Sequence, residues 1–248
     1  MSEHIVQYFI LKSNSHIFRK SLTMTLNMSM SFRGNLPTLK SDNSPNSLPS
    51  NNKLKSWYST LDISPNLSEI PVSKRKVLVL DLDETLIHSS EYPPHPKVES
   101  FRCGNPEIIV HKRPGVDVFI QMATTLFDTY IYTYGTLMYA DPILDELCPM
   151  IRQDHRLYRH RCTIKKGKVK KDLQRFNRPM SDVILIEDSA TAKKQHPDNT
   201  ILIPAWQGSP ADRVLIDYLP NVLMQCSLVA DVRQIIRWLN PKDCLKLQ

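Results

Sequence analysis

Val77–Leu80 form an unbroken apolar run that breaks off at an acidic cluster, Asp81, Asp83 and Glu84. Four apolar residues in a row, without alternation, predict a strand buried on both faces, as strands of parallel sheets are. A second run of this kind, Val183–Ile186, ends the same way at Glu187-Asp188-Ser189. Between them, Val116, Phe119, Ile120, Ala123 and Leu126 recur at helical spacing behind Pro114 and Gly115, which predicts a core-facing helix. Tyr130–Thr133 follows as the second strand of a βαβ unit. Pro142 is expected near the first turn of a further helix that turns Ile143, Leu144 and Leu147 inward. Glu107–His111 and Ile201–Pro204 read as short strands. Leu215, Leu219, Val229, Val232, Ile235, Ile236 and Leu239 suggest two closing helices. This alternation predicts an α/β fold with a parallel central sheet.

In such sheets ligands bind beyond the carboxyl ends of the strands, so acids placed there are placed for chemistry. Asp81 and Asp83, two apart, can project to one side of an extended backbone. If the two apolar strands lie near each other, Asp81 and Glu187-Asp188 converge into an oxygen-rich cluster of the kind that holds Mg²⁺.

Residues 1–73 differ from the rest, being rich in Ser and Asn, carrying Pro37, Pro45, Pro49 and Pro65, and lacking sustained periodicity. They read as a low-complexity, disordered tail ahead of a folded unit at 74–248. The basic, hydroxyl-rich start weakly suggests mitochondrial targeting, but Glu3 and the long Ser/Asn continuation argue for nucleus or cytoplasm instead. The 248 residues carry a net charge of +7, which favours polyanionic partners such as phosphorylated protein, nucleic acid or an acidic membrane surface. No apolar run approaches the roughly 18 residues that cross a bilayer. The five cysteines, Cys103, Cys148, Cys162, Cys226 and Cys244, have no CxxC spacing and read as reduced thiols.

The stretch Asp81–Ser90, DLDETLIHSS, resembles the DxDx(T/V) signature of the haloacid dehalogenase superfamily. Further segments are most similar to its branch of small RNA polymerase II C-terminal-domain phosphatases and Dullard-like phosphatases. They are KRPGVDVFIQ from Lys112, Lys171-Asp172-Leu173 and His196-Pro197-Asp198-Asn199. The resemblance spans about residues 74–240 and implies a Rossmann-like sheet with helices on both faces. The short intervals Ser89–Pro114 and Lys171–Glu187 leave room for a hairpin flap but no large cap domain, so the cleft is expected to admit a loop of another protein.

The resemblance also implies roles. Asp81 is the expected nucleophile, forming an aspartyl-phosphate, and Asp83 the expected acid and base. Thr85, Thr133, Arg159 and Lys171 are expected to hold phosphate oxygens, and Asp81, Asp83 through its carbonyl, Asp188 and Glu187 to hold Mg²⁺. The family's usual Asp-Asn is Glu187-Asp188 here, and its usual Ala-Ser after the strand-end Thr is Tyr134-Gly135. His196 is read as structural, and most of Lys165, Lys166, Lys168 and Lys170 as part of a solvated basic loop around Gly167. The expected activity is Mg²⁺-dependent phosphoserine or phosphothreonine hydrolysis by a monomer acting on phosphorylated protein, with the RNA polymerase II tail one such substrate. An apolar pocket near the flap and Leu137–Tyr139 is expected to take a substrate proline. Two other readings stand beside it: a non-catalytic import or scaffold protein of the same fold, disfavoured by the intact DxDxT, and a nucleic-acid phosphatase, for which no nucleic-acid-binding module is present.

Overall fold

The structure is a computed structural model that describes residues 75–92, 95–165 and 168–239. The expected tail and the thiol of Cys244 lie outside the described residues. The central sheet has five parallel strands: β1 (Val77–Leu80), β5 (Asp128–Tyr132), β6 (Arg156–Leu157), β9 (Val183–Glu187) and β10 (Thr200–Leu202). Their order is β10-β9-β1-β5-β6. The chain leaves β1 toward β5 on one side, and leaves β9 toward β10 on the other. The switch therefore falls between β1 and β9, where open α/β sheets place their ligand crevice. Leu80 lies opposite both Ile131 and Ile186, so the residues that follow, Asp81 and Glu187, emerge at one level.

Helices cover the sheet as the apolar spacing demands. In α1 (Val116–Leu126) the buried residues are Val116, Phe119, Ile120, Met122, Ala123 and Leu126. Gly115 precedes it at φ +83, where a Cβ would collide with Ile216. These residues join α2 (Leu137–Leu147), α4 (Leu219–Leu228) and one face of the strands in the larger core. On the opposite face Val77, Val79, Tyr132, Val183 and Leu185 pack on Leu173 of a 3-10 turn, Leu173–Phe176. The short helix α3 (Ala190–Gln195) links β9 to β10.

Several expectations are corrected in detail. The helix α2 starts five residues before Pro142, because the Thr136 side chain accepts from the Tyr139 N–H and caps it there. Pro142 thus lies inside the helix, where it removes a bond to the carbonyl of Met138 on the exposed first turn, which water can satisfy. The flap is three-stranded and antiparallel, ordered β2-β4-β3 from β2 (Ile87–Ser90), β3 (Ser100–Cys103) and β4 (Ile108–Lys112). Part of the basic stretch folds as a hairpin, β7 (Thr163–Lys165) with β8 (Lys168–Lys170). Ahead of that hairpin Arg156 is buried and bonded to Asp141 at 3.0 Å and Asp145 at 2.6 Å on α2. The closing helices are α4, entered through a π-helical turn at Val214–Tyr218, and the four-residue α5 (Arg233–Ile236).

A buried charge ties these parts together. Arg113 is 0% exposed and pairs in fork fashion with Asp212, Nε to Oδ1 at 2.9 Å and Nη2 to Oδ2 at 2.8 Å. Its remaining donors reach the carbonyls of Thr85 at 3.1 Å, Glu84 at 3.3 Å and Pro204 at 3.2 Å. One guanidinium thus joins the loop after β1 to the loop after β10. Asp212→Ala leaves that cation buried without its partner and is expected to cost about 3–5 kcal/mol, read as a lowered urea midpoint at unchanged slope.

Candidate active site

The turn after β1 is tight and strongly held. Leu86 and Ile87 donate backbone bonds to the Leu82 carbonyl, at 2.8 and 3.2 Å. Glu84 N donates to the Ile87 carbonyl at 2.7 Å, and Glu84 itself sits at φ +60. That left-handed residue is strained for a side chain with a Cβ. The Trp206 N–H on the Glu84 carbonyl at 2.8 Å and the Arg113 contacts keep it in place. The effect is to hold Asp81 and Asp83 on either side of buried Leu82, facing a cleft of about 340 Å³. Its lining includes Asp81, Asp83, Tyr134, Lys171, Glu187 and Asp188.

Asp81 is buried, and its oxygens are distinct. Oδ1 accepts from Lys171 Nζ at 2.5 Å, and Oδ2 accepts from Thr85 Oγ1 at 3.4 Å. The same ammonium donates to Glu187 Oε2 at 2.7 Å. Burial alone would pull the Lys171 ammonium down, but Asp81 and Glu187 outweigh it and hold the group protonated. Burial and then the Asp81 charge push Glu187 up, against the pull of Lys171. Burial, with Asp81 second, likewise pushes Asp188 up, to about 6.

A ligand oxygen from each of Asp81, Glu187 and Asp188 lies within 4.8 Å of the others. With all three ionised and Lys171 protonated, the cluster carries two uncompensated negative charges in a partly buried site. An all-oxygen donor set with that surplus fits a hard divalent cation such as Mg²⁺. After burial, the neighbouring Asp81 charge is the next cause that raises Glu187 and Asp188, since it destabilises their charged forms.

The other residues singled out in the sequence fall at graded distances from this cluster. Asp83 accepts from Thr133 Oγ1 at 3.3 Å and from the Tyr139 hydroxyl at 2.5 Å. Burial, the largest influence, raises its pKa, and those two hydrogen bonds oppose it. Thr133 Oγ1 in turn accepts from Gly135 N at 2.8 Å, which fixes it just past β5. Thr85 is fully buried beside Asp81. Arg159 stands apart: its Nε donates to the Tyr134 carbonyl at 2.7 Å, its guanidinium lies 4.7 Å over the Tyr134 ring, and it does not line the cleft. His196 Nε2 meets the Lys171 carbonyl at 2.8 Å and so supports the lysine from behind.

Three contributions were not foreseen. Tyr139 was noticed only as part of a helix entry and a pocket wall, and its bond to Asp83 depends on a loop geometry that spacing does not encode. Arg113 and Asp212 lie 99 positions apart and offer no signal beyond their unlike charge. Cys162, Thr191 and Gln195 line the far side of the cleft, without any motif to mark them.

Residues 76–233 match a family model described as NLI interacting factor-like phosphatase. CTD nuclear envelope phosphatase 1 of Xenopus tropicalis is 34% identical to this chain, over 72% of the chain and 79% of the relative. Carboxy-terminal domain RNA polymerase II polypeptide A small phosphatase 1 of Homo sapiens is also 34% identical, over 68% and 66%. A solved structure of the fission yeast RNA polymerase II CTD phosphatase Fcp1, bound to beryllium fluoride, overlaps 54% of this chain and 43% of its own at 26% identity and a TM-score of 0.44. Since the family match spans well over half of its length, the chain belongs to the NLI interacting factor-like phosphatases.

Proposed function

We propose that this phosphatase removes phosphate from phosphoserine or phosphothreonine in proteins through an aspartyl-phosphate on Asp81. The observation that carries the reading is the pairing of Asp81 with Lys171 at 2.5 Å at the end of a buried strand, beside Asp188 and Glu187. A phosphate monoester repels an anionic nucleophile, so the attack needs fixed positive charge close by. Lys171 offers that charge at Asp81 Oδ1 and leaves Oδ2, held only by the long Thr85 contact, as the attacking oxygen. Asp81, Asp188, Glu187 and the Asp83 carbonyl would hold Mg²⁺, which would supply further positive charge to offset the phosphate.

Asp83 donates a proton to the departing serine oxygen, then takes one from the water that frees the phosphate. Its burial favours holding a proton for the first of these steps. Thr85 and Thr133, buried and bonded to the Asp81 and Asp83 carboxyl groups, reach the phosphoryl oxygens only by giving up those bonds. Arg159, once it leaves Tyr134, reaches a phosphate at the rim. Tyr134, Leu137 and Met138 are exposed beside it and supply the apolar contact for a substrate proline.

A protein-sized substrate is supported by the lack, among the described residues, of a large domain over the cleft: between β8 and β9 lie only two 3-10 turns, and the flap is a small sheet. By likeness to the named relatives the substrate is the repeated tail of RNA polymerase II, or another phosphoprotein met in the nucleus. The phosphatase unit begins near residue 74, in keeping with the start of the family match. Among the described residues no helix is long and apolar enough to cross a membrane.

Purified protein should hydrolyse p-nitrophenyl phosphate with Mg²⁺, lose the activity to a chelator, and lose it by about 10³-fold or more in Asp81→Asn, as expected when an essential nucleophile is removed. Turnover by Asp81→Asn equal to wild type refutes the nucleophile. Lys171→Met leaves Asp81 and Glu187 facing each other without a counter-charge and should cost about 3 kcal/mol or more of stability. Part of that loss should return in Lys171→Met/Glu187→Gln, measured by thermal unfolding of both variants.

A further inference from the structure

Tyr139 is the third residue of α2, and its hydroxyl makes two contacts at once. It donates to Asp83 Oδ1 at 2.5 Å and lies 2.7 Å from Ser89 Oγ on β2. The other Asp83 oxygen accepts from Thr133 Oγ1 at 3.3 Å. The carboxyl group is thus gripped at both oxygens by hydroxyls from separate elements, one at the end of β5 and one in the first turn of α2. The second of these is fastened in turn to the antiparallel flap. Tyr139 does not line the cleft, so its contact with the site runs through Asp83.

The ring reaches this place for local reasons. The Thr136 cap fixes the Tyr139 backbone N–H at the start of the helix. Long helical side chains lean toward the N-terminus, which here points the ring back at the end of β5. Gly135 leaves the path open. A Cβ on it would lie 2.9 Å from Tyr139 Cδ1, where the ring would have to shift, and 3.1 Å from Thr133 Oγ1, a tight contact. A side chain at position 135 therefore presses on both residues whose hydroxyls hold Asp83.

We propose that Tyr139 is a positioning residue that aims the Asp83 carboxyl at the leaving-group oxygen and, through Ser89, makes that aim depend on how the flap is seated. The proposal rests on the reading of Asp83 as the proton donor. In the first step the bond from Asp81 Oδ2 to phosphorus forms as the bond to the serine oxygen breaks, and the Asp83 proton goes to that oxygen. Free rotation of the carboxyl would spend most of its time with the proton aimed elsewhere, and orientation of this kind is a large part of what an active site supplies. Hydroxyl groups both donate and accept, so the Asp83–Tyr139–Ser89 chain stays paired before and after the proton leaves.

The test uses the full chain and kcat/KM, which reports the steps up to loss of the leaving group, across p-nitrophenyl phosphate, phenyl phosphate and a phosphoserine peptide. A nitrophenolate departs without help, whereas phenolate and alkoxide need the proton. Tyr139→Phe is expected to lower kcat/KM for phenyl phosphate and the peptide by about tenfold, with a clearly smaller loss for p-nitrophenyl phosphate. Ser89→Ala and Gly135→Ala should give the same pattern. Added to Asp83→Asn, Tyr139→Phe should cost nothing further. A loss equal for all three substrates, or a further loss in the Asp83→Asn background, overturns the proposal. Asp83→Asn alone should steepen the dependence on the leaving group. If it does not, the reading of Asp83 fails, and the two failures are told apart by that single variant. Ser89→Ala keeps the test open should Tyr139→Phe unfold.

Discussion

A single ammonium group, that of Lys171, stands between two buried carboxylates, Asp81 at 2.5 Å and Glu187 at 2.7 Å. Those acids belong to neighbouring strands whose register sets them side by side, with Asp81 N bonded to the Ile186 carbonyl at 3.1 Å. Without the lysine, two like charges would meet at the end of a low-dielectric sheet, and the fold would oppose its own site. With it, a positive charge lies between the two carboxyl groups, and the oxygens left around it form a donor set that suits a divalent cation. Lys171 is itself held from behind by His196. The constraint thus runs outward from one nitrogen to β1, β9 and the turn before β10.

Arg113 plays a matching part in support of the loop between β1 and β2. The loop carries Glu84 in a left-handed conformation, and such strain persists only where surroundings over-determine it. Here the surroundings are a fully buried guanidinium, its Asp212 partner and the Trp206 N–H on the Glu84 carbonyl. The backbone that carries Asp81 and Asp83 is therefore rigid on one side by ionic anchoring and on the other by the apolar packing of Leu82 and Leu86. Rigidity matters in this place because Asp81 and Asp83 are two residues apart, and a change in the loop would move the two carboxyl groups relative to each other.

Much of this was legible in the sequence, where burial on both faces leaves an unbroken apolar run. Val77–Leu80 and Val183–Glu187 are strands as expected, and the helical spacing from Val116 to Leu126 becomes α1 with one added buried residue, Met122. The convergence of Asp81 with Glu187 and Asp188 follows from those strands once they pair. What could not be read depends on partners far along the chain or on small shifts of frame. Pro142 was placed at a helix start because proline favours that position, yet the Thr136 cap moved the start and left it mid-helix. Arg113 and Arg156 look like surface charges by type, and only Asp212 and the α2 acids, brought close by folding, make their burial affordable. The grip of Tyr139 on Asp83 likewise needs the exact turn at Gly135, which no periodicity records.

The register between β1 and β9 carries a consequence for the order of synthesis. Asp81 leaves the ribosome early, while its lysine and the acids beside it follow about a hundred residues later. Until β9 docks beside β1, the aspartate has neither the Lys171 ammonium nor the Glu187 and Asp188 carboxyl groups beside it. Pairing of strands so distant in sequence is slow to nucleate. The oxygen cluster and its counter-charge therefore come together only as a late event, at the moment the last central strand closes the sheet.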